Sequence, residues 1–207
     1  MCRACEGLTR TGGAPMALNL VIIFGSVRSD RQGIKAVRFV QRQLVERGHT
    51  VTLVDPLEYQ LPLLDRMYKE YPKGTAPEQL ERLATLYRAA DGFVIVTAEY
   101  NHSAPPALVN LLDHFLEEYF FRPSAIVSYS GGGFGGVRAA SHLRDMLAEL
   151  GMAAIPSSFP VPKVGTAFDE AGVPTDVAYV RRFIRFASEL EWYAQAMKTA
   201  RQAGVPY

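Results

Sequence analysis

Leu20-Val21-Ile22-Ile23-Phe24-Gly25-Ser26-Val27-Arg28-Ser29-Asp30-Arg31-Gln32-Gly33 turns from an unbroken apolar run into a small, polar, cationic loop. A β-branched run without alternation suits a strand covered on both faces, as at the centre of a parallel sheet. The residues after it suit an anion. Gly25 permits a sharp turn, Ser26 and Ser29 offer hydroxyls, and the first-turn amides of a following helix point at whatever sits above the strand end. Arg28 and Arg31 supply charge of the kind that grips a phosphate dianion through paired, charge-assisted hydrogen bonds.

Working outward, the apolar spacing of Ile34, Val37, Phe39, Val40, Leu44 and Val45 predicts a helix from Gly33 to Arg47, stopped by Gly48. Thr50 to Asp55 reads as a short strand ended by Pro56. Residues 56–76, with Pro62, Pro72, Gly74 and three tyrosines, form a long connection suited to surface packing or a subunit contact. A helix over 77–90 and a strand over 92–97 follow. Pro105 and Pro106 open a helix expected to reach Glu118. A strand over 123–129, the glycine run 131–136, a helix over 137–150 and a short strand at Ala153-Ala154-Ile155 come next. Residues 156–174 read as an excursion. Asp176 to Arg201 close the pattern as a long helix with Val180, Phe183, Ile184, Ala187, Leu190 and Trp192 inward.

Strands alternating with helices call for parallel β-α-β units with right-handed crossovers. The loops after the first, third and fourth strands share small residues and hydroxyls. In a doubly wound sheet they meet at the carboxyl edge, where ligands bind.

The 207 residues suit one core, with a disordered tail over 1–16 and a single domain over 17–207. A formal net charge of +1 gives no polyelectrolyte signature, so nucleic acid is not expected as a partner. Arginine outnumbers lysine 17 to 5, which fits genomic base composition except where arginines fall in the loop above. Cys2 and Cys5 lie ahead of any periodic segment and define no disulfide framework. No secretory signal or membrane span is read, so a cytoplasmic chain is expected. The four histidines are dispersed without ligand spacing, and no metal site is expected.

Three motifs in order, Gly25-Ser26-Val27-Arg28, Glu99-Tyr100-Asn101-His102-Ser103 and Ser130-Gly131-Gly132-Gly133 with Gly136-Val137-Arg138-Ala139, resemble those of the NAD(P)H-dependent FMN reductase family over residues 18–195. The resemblance implies a flavodoxin-like three-layer sandwich with a five-stranded parallel sheet in the order 2-1-3-4-5. It implies FMN as cofactor, NADPH or NADH as donor, a small-molecule acceptor (flavin, quinone, azo compound or metal oxyanion) and a homodimer or homotetramer. Carried onto this chain, it assigns Ser26, Arg28, Arg31, Gln32 and Gly33 to the FMN phosphate. Thr97, Ala98, Glu99, Tyr100 and Asn101 are assigned to the ring and ribityl chain, and Ser130, Gly131, Gly132 and Gly133 to the ring's other edge. Ala98 and Pro106 depart from the family's usual Pro and Gly. The chemistry belongs to the cofactor, so no catalytic acid or base is nominated.

Residues 131–136 also satisfy G-x-G-x-x-G, the dinucleotide fingerprint. That site needs a carboxylate at the next strand end, where this chain reads Ala153-Ala154-Ile155-Pro156-Ser157-Ser158. A flavodoxin-type electron carrier shares the fold, yet such carriers resemble one another in acidic surfaces and hydroxyl-only phosphate loops. A flavin-free binding protein on the same fold is the third alternative.

Overall fold

The computed structural model describes residues 17–207; the expected tail over 1–16, with Cys2 and Cys5, lies outside the described residues. Five strands form one sheet: β1 (Asn19–Phe24), β2 (Thr50–Val54), β3 (Gly92–Ala98), β4 (Arg122–Tyr129) and β5 (Met152–Val161). All neighbours are parallel and the order is β2-β1-β3-β4-β5, as the resemblance implies. The helices are α1 (Gly33–Glu46), α2 (Glu78–Ala89), α3 (Pro106–Asp113), α4 (Val137–Glu149), the short α5 (Val164–Ala167) and α6 (Ala178–Ala203).

Alternate residues of the central strands feed two cores. Leu20, Ile22, Phe24, Val94 and Val96 pack with Val37, Phe39 and Val40 of α1 and Phe183, Phe186 and Leu190 of α6. Val21, Ile23, Phe93 and Ile95 face Leu80 and Leu83 of α2, Leu108 and Leu112 of α3, and Leu143 and Leu147 of α4. Every residue of β3 is buried, which is why its sequence shows no alternation.

Three details differ from the sequence reading. Strand β5 runs on through Pro156 to Val161, so much of the expected excursion is sheet. A register shift between Ser124 and Ile126 takes up Ile155, Pro156 and Ser157 as a bulge on the sheet's edge, where a proline removes no needed donor. Arg144 of α4 donates to the Ile155 and Pro156 carbonyls at 2.8 and 2.9 Å, and Glu189 of α6 accepts from Ser157, so the bulge is hydrogen-bonded on both sides.

Helix α3 stops at Asp113 rather than Glu118. Unwinding there lets Tyr119 enter an aromatic cluster with Tyr87, Phe93 and Phe115, while buried Glu118 pairs with Arg88 at 2.7 Å. On α6, Ile184 and Trp192 face outward, Trp192 with 67% of its surface exposed. In the 56–76 connection, Tyr59 and Tyr68 are buried, and the Tyr68 hydroxyl donates to Glu81 at 2.8 Å.

The end of α1, the start of β2 and α6 are joined at Glu191. Its carboxylate accepts from Arg47 Nη2 at 2.7 Å and from His49 Nε2 at 2.9 Å. His49 Nδ1 accepts from the Leu18 amide at 3.4 Å, which leaves Nε2 to donate to Glu191. Burial alone would raise the Glu191 carboxyl, but hydrogen bonds from Arg47 and His49 override it and hold the group at about 2. A lowered native value adds stability that is complete above the ordinary carboxyl value of 4.5 and is lost as pH falls towards 2. Glu191→Gln should therefore lower urea stability by about 1–3 kcal/mol at pH 7. Between pH 4.5 and 2 the gap to the parent protein should narrow; a gap independent of pH would contradict this role.

Candidate functional site

Register places the site. Phe24 stands beside Val96, Ala98 beside Tyr129 and Tyr129 beside Val161, so the first, third and fourth strands end on one rim. The ladder continues into the loops: Gly25 N donates to Val96 O at 3.0 Å, Glu99 N to Tyr129 O at 3.2 Å and Ser130 N to Val161 O at 3.2 Å. Between the loops lies a cleft of about 260 Å³. Ser26, Arg28, Arg31, Gln32, Ala98, Glu99, Tyr100, Ser130 and Gly131 line it, so all three predicted segments meet there.

The β1–α1 loop is a concave run of donors. Among the described residues, none of the backbone N–H groups from Ser26 to Gln32 donates a hydrogen bond to another protein group. Ser26 is buried, with its hydroxyl 3.5 Å from that of Tyr100. Exposed Arg28 makes no ion pair or hydrogen bond among the described residues. Arg31 is placed differently from Arg28. It donates to Asp55 at 2.5 Å and to the Ser26 carbonyl at 3.2 Å, with its guanidinium 5.3 Å from the Phe24 ring centre. Its charge is thus largely matched by the acidic end of β2, and it fastens the loop. Asp30 also faces the cleft and accepts from the Gln32 side chain.

In the second loop the predicted residues divide. Thr97 is fully buried and donates to the Ala98 carbonyl at 2.8 Å, outside the cleft lining. Asn101 and His102 both have positive φ, 50° and 67°, and form a two-residue turn closed by paired bonds between Tyr100 and Ser103. Their side chains are exposed and do not line the cleft. Glu99 also caps α4, its carboxylate accepting from Arg138 N at 3.1 Å and from Arg138 Nη1 at 2.8 Å.

The third loop is braced at its base and open at its tip. Ser130 donates to Gly132 O and accepts from Gly135 N, both at 3.0 Å, while Lys163 N donates to Gly132 O at 2.9 Å. At Gly136, φ is 77° and a Cβ would lie 2.8 Å from the Tyr129 backbone, so only glycine fits. Gly132 and Gly133 are exposed and lie outside the cleft lining.

A sequence model described as NADPH-dependent FMN reductase matches residues 18–166, and the chain belongs to that family. The class is therefore FMN- and NAD(P)H-dependent oxidoreductases on a flavodoxin-like fold. The chain is 30% identical over 143 residues to an NAD(P)H-dependent FMN reductase of Saccharomyces cerevisiae, spanning 63% of this chain and 74% of that protein. It is 30% identical over 144 residues to a 2-hydroxy-1,4-benzoquinone reductase of a Burkholderia species, spanning 65% and 73%. An NADPH azoreductase of a Bacillus species is 39% identical over 80 residues, or 38% of this chain and 45% of the azoreductase. Among solved structures, the flavoenzyme NAD(P)H:(acceptor) oxidoreductase of Paracoccus denitrificans shares the fold with a TM-score of 0.71, at 21% identity over 87% of this chain and 99% of that one. No helix of the described residues is long and apolar enough to cross a membrane.

The sequence reading missed Asp30, Tyr129 and Val164, all in the cleft lining. Tyr129 reads as the last residue of a buried strand, and only the tertiary contact with α1 brings it to the site. That contact also explains Gly33: a Cβ there would lie 2.1 Å from Tyr129 Cζ and 2.4 Å from its hydroxyl. Gly33→Ala should lower stability by about 1–3 kcal/mol by displacing the ring. Chemical unfolding checks this, and parent-like stability would mean the ring and helix are not in contact.

Proposed function

We propose that this chain is an NAD(P)H-dependent reductase that holds the FMN phosphate in the 26–33 cup and the ring beside the Ala98–Tyr100 and Ser130–Gly131 segments, and reduces a small acceptor. Quinones, azo compounds, free flavins and metal oxyanions are the acceptor classes the reading covers. The observation that carries it is the run of amides from Ser26 to Gln32 that, like the Arg28 guanidinium beside them, have no partner among the described residues, at the rim of the cleft. Backbone donors with no partner among the described residues, a buried serine hydroxyl and a guanidinium without an ion pair among them suit a phosphate dianion.

When bound, FMN supplies the chemistry by taking hydride from the nicotinamide and passing electrons on. The residues of this chain bind and orient. Arg31, held by Asp55, fixes the cup without adding its full charge to it. Glu99, through Arg138, ties the second loop to the third and so keeps both sides of the ring space in register. Tyr100 and Val164 give the cleft apolar wall as well as polar groups. No side chain is assigned as acid or base.

The test is direct. The purified protein should be yellow with oxidised-flavin absorbance, or become so on adding FMN, and anaerobic NADPH or NADH should bleach it. Arg28→Ala should weaken FMN by about 1.5–3 kcal/mol, the scale of a hydrogen bond to a charged group. Retention as tight as the parent's would refute the phosphate assignment, and persistent colour under excess NADPH and NADH would refute the reductase reading.

A cytoplasmic, homo-oligomeric protein completes the proposal. Nicotinamide donors are intracellular, and exposed Leu63 (85% of its surface), Leu64 and Phe134 offer apolar area for a second copy. Light scattering should give a multiple of the 22.9 kDa monomer mass; that mass alone across working concentrations would remove the oligomer.

A further inference from the structure

Tyr129 is the last residue of β4, and its side chain leaves the sheet towards α1 while that of Ser128 turns the other way to donate to the Gly135 carbonyl at 2.8 Å. The ring packs 6.4 Å from that of Phe24 and occupies the space left by the missing Cβ of Gly33. Only 6% of the residue's surface is exposed. Its hydroxyl is out of reach of bulk water, and although the Ser26 hydroxyl is a neighbour, no hydrogen bond of good geometry joins it to any described residue.

That placement is costly for a group that contributes only bulk. A buried hydroxyl without a partner is desolvated with nothing in return, and phenylalanine would fill the same space without that cost. Two other buried side-chain oxygens lack partners, those of Tyr87 and Ser124, but neither lines the cleft. Tyr87 sits among Phe93, Phe115 and Tyr119 in the core below α2. Tyr129 instead lines the cleft, near Ser26, Arg28 and Arg31. It touches the first residue of α1, at the end of the loop whose amides are also unmatched. Two kinds of orphaned donor therefore meet at one place.

Resting on the FMN reading above, we infer that the Tyr129 hydroxyl is a hydrogen-bond donor reserved for the phosphate end of the bound flavin. It thereby selects the phosphorylated flavin over riboflavin. Burial pushes the phenol well above its ordinary range, against the smaller opposing pull of Ser26, Arg31 and Arg28, so it stays protonated and able to donate at physiological pH. An anionic oxygen is the acceptor that best repays a donor held dry, since a hydrogen bond to a charged partner is roughly twice as strong as a neutral one. Riboflavin ends in a hydroxyl there and brings no charge.

The decisive variant is Tyr129→Phe, which keeps the ring against Phe24 and Gly33 and removes one oxygen. FMN and riboflavin are titrated into flavin-free parent and variant, and thermal unfolding is followed with and without FMN. The FMN dissociation constant should rise about tenfold or more while that of riboflavin stays put, so the FMN preference falls by the same factor. Without flavin the variant should melt at or above the parent's temperature, and the rise produced by FMN should shrink. An unchanged FMN-to-riboflavin ratio would overturn the assignment, as would a flavin-free variant that melts below the parent, which would make the hydroxyl a structural group. A parent protein that binds neither flavin would instead overturn the FMN reading itself.

Discussion

Strands that run parallel and are covered on both faces must return through crossover helices, so every loop leaving a carboxyl end is delivered to the same rim. This constraint positions everything functional in the molecule. It holds only while β1, β3 and β4 stay in register, and the loops themselves extend that register by one residue each through Gly25, Glu99 and Ser130. Close approach then sets the depth of the cleft. A Cβ on Gly25 would lie 2.8 Å from that of Leu108, so the first loop and α3 meet with no room for a side chain between them. Gly33 does the same for α1 and Tyr129. Two missing side chains therefore decide how near the helices stand to the strand ends.

Charge is distributed around the cleft with similar economy. Four charged residues line it, yet Arg31 is matched to Asp55 and Glu99 to Arg138, while Asp30 accepts, among the described residues, only from the neutral Gln32 amide and keeps its charge. Fixed pairs of this kind hold geometry and leave little net field. What is left for a ligand is Arg28 and the amides. Amide donors suit a tightly bound anion because their direction is set by the backbone, whereas a mobile lysine must be ordered at a cost in entropy on each binding event.

How much of this was legible in the sequence depends on whether the deciding contact was local. The order of elements and the strand ends could be read, because the apolar runs and the Gly, Pro and Ser breaks that end them are short-range signals. Strand β5 could not. Pro156 reads as a terminator, and only Arg144 and Glu189, from two different helices, turn it into a bulge. Helix α3 ends sooner than its apolar pattern suggests because Tyr119 is drawn into an aromatic cluster built largely by residues of other elements. Periodicity placed Ile184 and Trp192 inward on α6, but the buried stripe is Phe183, Phe186, Ala187, Leu190 and Ala194, and both fall outside it. In the site, the meeting of Ser26 and Arg28 with the second and third loops at one rim was legible. The pairing of Arg31 with Asp55 was not, since the aspartate belongs to another strand and reads only as its polar end.

A free backbone donor and a buried hydroxyl without a partner are both unfavourable in the flavin-free protein, and the cup gathers several of them in one place. Folding tolerates this because the two cores beneath, one on each face of the sheet, are continuous and densely aromatic. The unmatched groups in turn give an anion its affinity: donors that are already dry and already aimed lose little freedom when the partner arrives. The same reasoning explains why the cup is built on β1 and α1. Five of the six β1 residues are buried and α1 packs its apolar face on the sheet, so the donors are held apart and cannot relax towards one another to satisfy themselves. A looser scaffold with the same residues would close its own hydrogen bonds and leave no donor free for an anion.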